Sequence, residues 1–184
     1  MIGAGRSGPD LVLDIRDSHA GDAVVRVALG THGRLDGVVV ASGVVAFGDL
    51  AATEPVVVEE LFLVNALGPL WLAQRVLAPL VEAKGFFAAV TGVVAEQAFP
   101  GLVAYGASKA ALSNGLAGLH REVCRRGVQV LDIRPPHTET GLATRPLAGT
   151  APRMPQGLDP AAVALRIVEA IVNDETVVSS PAFA

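Results

Sequence analysis

Cysteine is nearly absent: Cys124 is the only one among 184 residues. A lone thiol excludes an internal disulfide framework and fits a reducing cytoplasm, which is the expected location. Charge is scarce as well. Charged residues make up 17% of the chain and the net charge is −4, so the basic footprint that nucleic-acid binding requires is missing. The histidines His19, His32, His120 and His137 are scattered without metal-ligand spacing. There is no internal repeat and no low-complexity tract. Residues 1–6 lack the apolar core of a secretory signal. The most lipid-like stretch, 61–81, contains Asn65, Gly68, Pro69, Gln74, Arg75 and Pro79, which makes it a poor spanning helix. It reads as a helix buried in protein, and no membrane partner is expected.

Apolar residues are abundant. They form 51% of the chain, and the mean hydropathy is +0.49. At this length one domain is the natural expectation, with enough chain for a sizeable core. Helices buried on several sides, as in an α/β homo-dimer or homo-tetramer, would account for the apolar average.

The order of the chain fixes the class. Residues 1–10 are rich in Gly and Pro and read as an irregular lead-in. Gly3-Ala4-Gly5-Arg6-Ser7-Gly8 formally matches G-x-G-x-x-G, but that motif needs a strand before it and a helix starting on it. Here it is preceded only by Met1 and Ile2 and followed by Pro9-Asp10. Strand-type runs occupy 11–15, 35–41, 85–92, 128–133 and 176–179. The run at 35–41 is almost wholly apolar, as in a strand covered on both faces. Helical patterns fill the intervals. One runs from a cap at Asp17 or Ser18 to about Thr31. A long one starts at Thr53-Glu54-Pro55, with Thr53 as N-cap, and is bent by Pro69 and Pro79 on its way to Lys84. A third carries Tyr105 and closes at Gly127. The last starts at Asp159-Pro160. Residues 137–157 have no periodicity, and a structureless segment that long reads as a functional loop over a substrate. Strands alternating with helices predict a parallel α/β sheet with right-handed crossovers, a Rossmann-like three-layer fold.

Within that frame Tyr105 and Lys109 lie four residues apart on a helix. That spacing sets their Cβ atoms about 5–6 Å apart on one face. An ammonium beside a phenol favours the phenolate, lowers its pKa and suits it to pass a proton to or from a carbonyl or alcohol oxygen. The same pair also fits a partly buried ring beside a solvated charge, and spacing alone leaves both readings open.

In their order and spacing these residues resemble the short-chain dehydrogenase/reductase family over residues 11–184. Tyr105-Gly106-Ala107-Ser108-Lys109 looks like the family's catalytic pair, and Asn65 matches its active-site asparagine. Residues 35–44 look like the strand that ends in Asn-Ala-Gly, here Ala41-Ser42-Gly43. Pro135 to Thr140 is similar to Pro-Gly-x-x-x-Thr, and Asp14 matches the aspartate that approaches the adenine. The resemblance implies an oxidoreductase that uses NAD or NADP on a carbonyl or alcohol of a small organic substrate. Tyr105, Lys109 and Asn65 would be catalytic. Asp14, Ile15, Ser42, Gly43, Lys109, Pro135, His137 and Thr140 would line the cofactor.

Several departures accompany the resemblance. The Gly-rich phosphate loop and the family's first two strands have no counterpart in these residues, as in a truncated or divergent member. Gly92 stands where the family has its catalytic serine, with Thr91 adjacent. Pro135-Pro136 replaces Pro-Gly. A second class of function is therefore an impaired relative serving as a binding or dimerisation scaffold. Without the two strands, residues 11–15 are expected to move beside residues 38–41 or to pack loosely, leaving the region up to Gly33 the least anchored part.

Overall fold

The computed structural model describes residues 1–183. Four parallel strands make the central sheet, in the order β3 (Gly37–Val40), β4 (Phe86–Val90), β5 (Gln129–Ile133) and β6 (Val177–Val178). Each strand follows its predecessor both in sequence and in space. The helices are α1 (Ala20–His32), α2 (Pro55–Phe62), α3 (Gly68–Ala83), α4 (Val103–Val123) and α5 (Pro160–Val172). The expected three-layer Rossmann-like fold is present.

Alternation along the strands sorts the side chains into two cores. Phe87 and Ala89 of β4 and Val130 of β5 face α1, α3 and α4, where they meet Ala28, Leu72, Val76, Leu80, Leu112 and Leu116. Ala88 of β4 and Leu131 and Ile133 of β5 face the other way, onto Ala170 of α5 and Val178. The first two crossovers thus run over one face and the third over the other, while the strand order advances in one direction. Opposite faces with one direction of advance require opposite hands, so the expectation of uniformly right-handed crossovers fails for the β5–α5–β6 connection. The long segment between Ile133 and Pro160 makes that path sterically open.

Other expectations also change. Residues 11–15 do not join β3. A two-residue strand β2 (Leu11–Val12) pairs in parallel with β1 (Ala4–Gly5) as a separate ribbon, so the lead-in is not wholly irregular. No helix begins on Gly3–Gly8, because that stretch holds β1 and the turn that leads on to β2. The strand near 35–41 is not covered on both faces, since Val39 is 46% exposed on the α5 side. Neither Asp17 nor Ser18 caps α1, whose N-cap is His19, without a side-chain bond. Thr53 does not cap α2. Glu54 occupies the N-cap position without a side-chain bond, and Pro55 opens the helix as expected. Asp159 does cap α5, accepting the Ala161 N–H at 3.1 Å. Gly127 ends the α4 segment with φ +81°.

The long helix is interrupted, but its break comes before the first proline. Leu63–Leu67 forms one wide turn with i→i+5 hydrogen bonding between α2 and α3. Pro69 accounts for its place. It has no N–H to give the Asn65 carbonyl four residues earlier, so an ordinary helical turn cannot close there. Residues 55–83 are long and apolar enough, by length and composition, to cross a membrane. In the fold Leu61, Val64, Leu72, Val76 and Leu80 are buried against protein.

Candidate functional site

The wide turn aims Asn65 inward. Its side chain is fully buried and spans two elements. Oδ1 accepts the Val44 N–H at 3.0 Å, while Nδ2 donates to the Val44 carbonyl at 2.9 Å and to Ser108 Oγ at 3.1 Å. Asn65 therefore ties the loop after β3 to α4, one residue before Lys109. As a side chain it is a satisfied amide that builds the site.

Lys109 is buried, and its Nζ donates to the Val90 carbonyl, at the end of β4, at 2.9 Å. Burial lowers its pKa to about 8, a drop that the Asp132 carboxylate opposes. Gly43 faces this ammonium. A methyl group on Gly43 would lie 3.2 Å from Lys109 Nζ and 3.3 Å from Asn65 Oδ1, so a side chain there would fill the cleft. Gly43 thus leaves a cradle over the ammonium, while Ser42 beside it is exposed.

Tyr105 lies one helical turn before Lys109. Its hydroxyl has no hydrogen-bond partner among the described residues, and burial pushes its pKa up to about 12. That direction corrects the expectation from spacing. Burial of the ring is the cause that acts on the phenol, and it favours the neutral form. At neutral pH the pair is a phenol beside an ammonium, a proton donor ready for an oxygen placed against it.

Gly92 stands where the resemblance expects a serine. Gly92 has φ +92°, a backbone conformation that side-chain-bearing residues rarely adopt. Thr91 does not substitute for it. Its hydroxyl is buried and donates to Asp132 Oδ1 at 2.5 Å, on the face of the sheet that carries α4.

The remaining predicted residues divide. The Asp14 carboxylate is gripped by the Arg16 guanidinium, which holds its pKa near 2, and Arg16 also reaches Glu60 of α2 at 3.1 Å. Asp14 is thus a bridge within its loop. Ile15 is partly buried against the main core, and its carbonyl lies where a Cβ on Gly68 would come within 2.5 Å. That glycine lets the 14–15 segment seat on the start of α3. Pro135 is buried, and its carbonyl accepts the Val93 N–H at 3.0 Å. The His137 N–H has no acceptor among the described residues. The His137 ring lies 3.4 Å from Glu139, and its carbonyl accepts the Leu158 N–H at 2.8 Å. Thr140 is exposed, with its hydroxyl unpartnered among the described residues. The 137–157 loop is laid back over the site: Leu147 N donates to Val45 O at 2.8 Å and Phe47 N to Ala148 O at 2.9 Å.

Sequence reasoning missed one cluster beside the site. Asp132 of β5 is buried and accepts from Thr91, from Ser113 at 2.6 Å and from Arg134 at 2.7 and 2.8 Å. Its signal was legible: an aspartate inside an otherwise apolar strand run has to be paired when buried.

The sequence profile described as short chain dehydrogenase matches residues 9–149. The chain is similar to the glycine betaine reductase ATRR of Emericella nidulans, with 32% identity over 171 residues, 89% of this chain and 14% of that one. It spans between 45% and 53% of three further curated relatives. In structure it is similar to a short-chain dehydrogenase from Streptomyces avermitilis, with a TM-score of 0.80 and 26% identity, covering 92% of this chain and 70% of that one. A Burkholderia phymatum short chain dehydrogenase/reductase in complex with NAD shares the fold, with a TM-score of 0.82 and 18% identity over 96% of this chain and 78% of that one.

Proposed function

The chain belongs to the short-chain dehydrogenase family, a family of oxidoreductases, and from that premise we propose that it is an NAD(P)-dependent oxidoreductase acting on a carbonyl or alcohol of a small organic substrate. One observation carries the reading: the buried Lys109 ammonium faces a cradle that Gly43 leaves empty of side chain, one helical turn after Tyr105, whose hydroxyl has no partner among the described residues.

The donor set fits a nicotinamide nucleotide. Lys109 has ammonium hydrogens beyond the one given to Val90, suited to ribose hydroxyls. The His137 N–H and the Thr140 hydroxyl, without partners among the described residues, are donors suited to a carboxamide. Asp14 and Ile15 lie on the segment that would meet the adenine. When bound, the cofactor supplies or takes up a hydride.

The chain's own residues handle the proton and the positions. In the reductive direction Tyr105 gives its phenolic proton to the substrate oxygen as that oxygen gains charge, and in the oxidative direction it takes the proton back. Lys109, charged at neutral pH, stabilises the phenolate left behind. Asn65 holds Val44 and Ser108 in register, which fixes both walls of the cleft. Gly92 supplies no hydroxyl to the substrate oxygen. Loss of one positioned donor costs on the order of 10²–10³ in rate, so turnover is expected to be slow and to depend on Tyr105.

The test is consumption of NADH or NADPH over a panel of aldehydes and ketones, by the wild type and by Tyr105→Phe. The reading expects Tyr105→Phe to lower kcat by about 10²–10⁴ with little change in KM. Equal turnover by the two proteins would overturn it.

A further inference from the structure

The buried carboxylate on β5 has no part in the chemistry above, yet it is built into the same strand end as Lys109. Four hydrogen bonds hold it. Thr91 Oγ1 donates to Oδ1 at 2.5 Å. Ser113 Oγ, Arg134 Nε and Arg134 Nη2 donate to Oδ2 at 2.6, 2.8 and 2.7 Å. Thr91 follows Val90, whose carbonyl accepts the Lys109 ammonium. Ser113 follows Lys109 by four residues, so the two share one face of α4. Asp132 therefore grips the two pieces of backbone that Lys109 itself joins: the end of β4 and one turn of α4.

We propose that Asp132 is the positioning residue and counter-charge of Lys109, holding the end of β4 against α4 and keeping the lysine charged in a dry site. This deepens the oxidoreductase reading and rests on it for the lysine's role. The charged and titratable groups set about Lys109 are Tyr105 on its own helix, Asp132 on β5, Arg134 just after that strand and, through Arg134 at 3.3 Å, Glu96. Asn65 and Gly43 face the lysine from α2–α3 and from the loop after β3 and carry no charge. Asp132 is the anion among these that lies on the face of the sheet packed against α4.

The lysine's own energetics agree with the geometry. Burial favours the neutral amine, and the field of Asp132 is what opposes it. Arg134 shares the carboxylate and so moderates that field. Its guanidinium links on to Glu96, which in turn accepts the Ser180 N–H at 3.1 Å, so the clamp extends to the C-terminal segment. A carboxylate with four donors cannot swing toward the ammonium and form a contact pair. It acts at fixed range and leaves to a ligand the ammonium hydrogens not given to Val90.

The chain has two lysines, Lys84 and Lys109, so lysine labelled with ¹³C at Cε gives two NMR signals. Lys84 is exposed and serves as the internal reference. In the full chain, Asp132→Asn should move the Lys109 midpoint down by about one pH unit. Arg134→Met, which leaves the carboxylate clamped by Thr91 and Ser113, should move it up, and Lys84 should stay put in both. If Asp132→Asn does not fold, Arg134→Met decides alone. A Lys109 midpoint unchanged in the folded variants would overturn the proposal. The titration needs neither cofactor nor turnover, so it can succeed where the oxidoreductase reading fails, and the reverse.

Discussion

At the scale of residues, Lys109 and Tyr105 are displaced in opposite directions by the same burial. For Lys109 the folded chain releases its proton near pH 8 and the unfolded chain only near 10.5. Between those values the unfolded state binds more protons, so stability rises with pH across that window. Below pH 8 the cost of burying the charge is fully present. The gap corresponds to roughly 3 kcal/mol. Tyr105 has the opposite slope, above its ordinary phenol value and up to about 12. Lys109→Met should therefore flatten the alkaline rise. Urea unfolding between about pH 7.5 and about pH 10 checks this, with wild type gaining stability relative to the variant; parallel curves would contradict it. The Tyr105–Lys109 pair was legible in the sequence because helical spacing is local information. The partners of Asp132 were not, because Thr91 and Ser113 lie 41 and 19 residues away, and only the folded sheet brings them together. The sign of the tyrosine shift was misread for a related reason: burial depends on the whole packing, whereas the lysine was visible four residues along.

At the scale of elements, close approach between helices sets the frame. Gly21 at the start of α1 sits against α3, where a Cβ would come within 2.4 Å of Arg75 Cβ. Gly21→Ala should force the two helices apart and cost about 1–3 kcal/mol, read as a lower thermal midpoint; an unchanged midpoint would show that the contact yields freely. The existence and type of most elements were legible from periodicity, and the Asp159 cap and the Gly127 stop from their residue types. The wide turn at Leu63–Leu67 was not, since sequence marks Pro69 as a disruption without saying which earlier carbonyl gives way. The capping of α1 and α2 was misassigned because Ser, Thr and Asp are equally good turn residues. Asp17 is used that way, accepting the His19 N–H at 2.8 Å.

At the scale of the whole molecule, the parallel α/β architecture followed from alternation, while its asymmetry did not. One face of the sheet carries three helices and the larger core, and the other carries α5 and leaves Val39 open. An apolar run of residues says that a strand is suited to burial on both faces, but coverage depends on which helices cross over it. The third crossover changes face after the 137–157 loop, and that same loop folds back onto Val45–Phe47 beside Gly43. Fold and site thus meet in one cleft, bounded by Gly43, Asn65, Val90 and Lys109, with Tyr105 one helical turn before the lysine. The central claim is that this cleft receives a nicotinamide nucleotide. Calorimetric titration of the chain with NADH and NADPH, repeated on Gly43→Val, tests it most directly. Saturable binding of at least one of the two is expected at millimolar or lower concentration, abolished in Gly43→Val while the fold persists. No binding by the wild type at millimolar cofactor, or equal binding by both proteins, would contradict it.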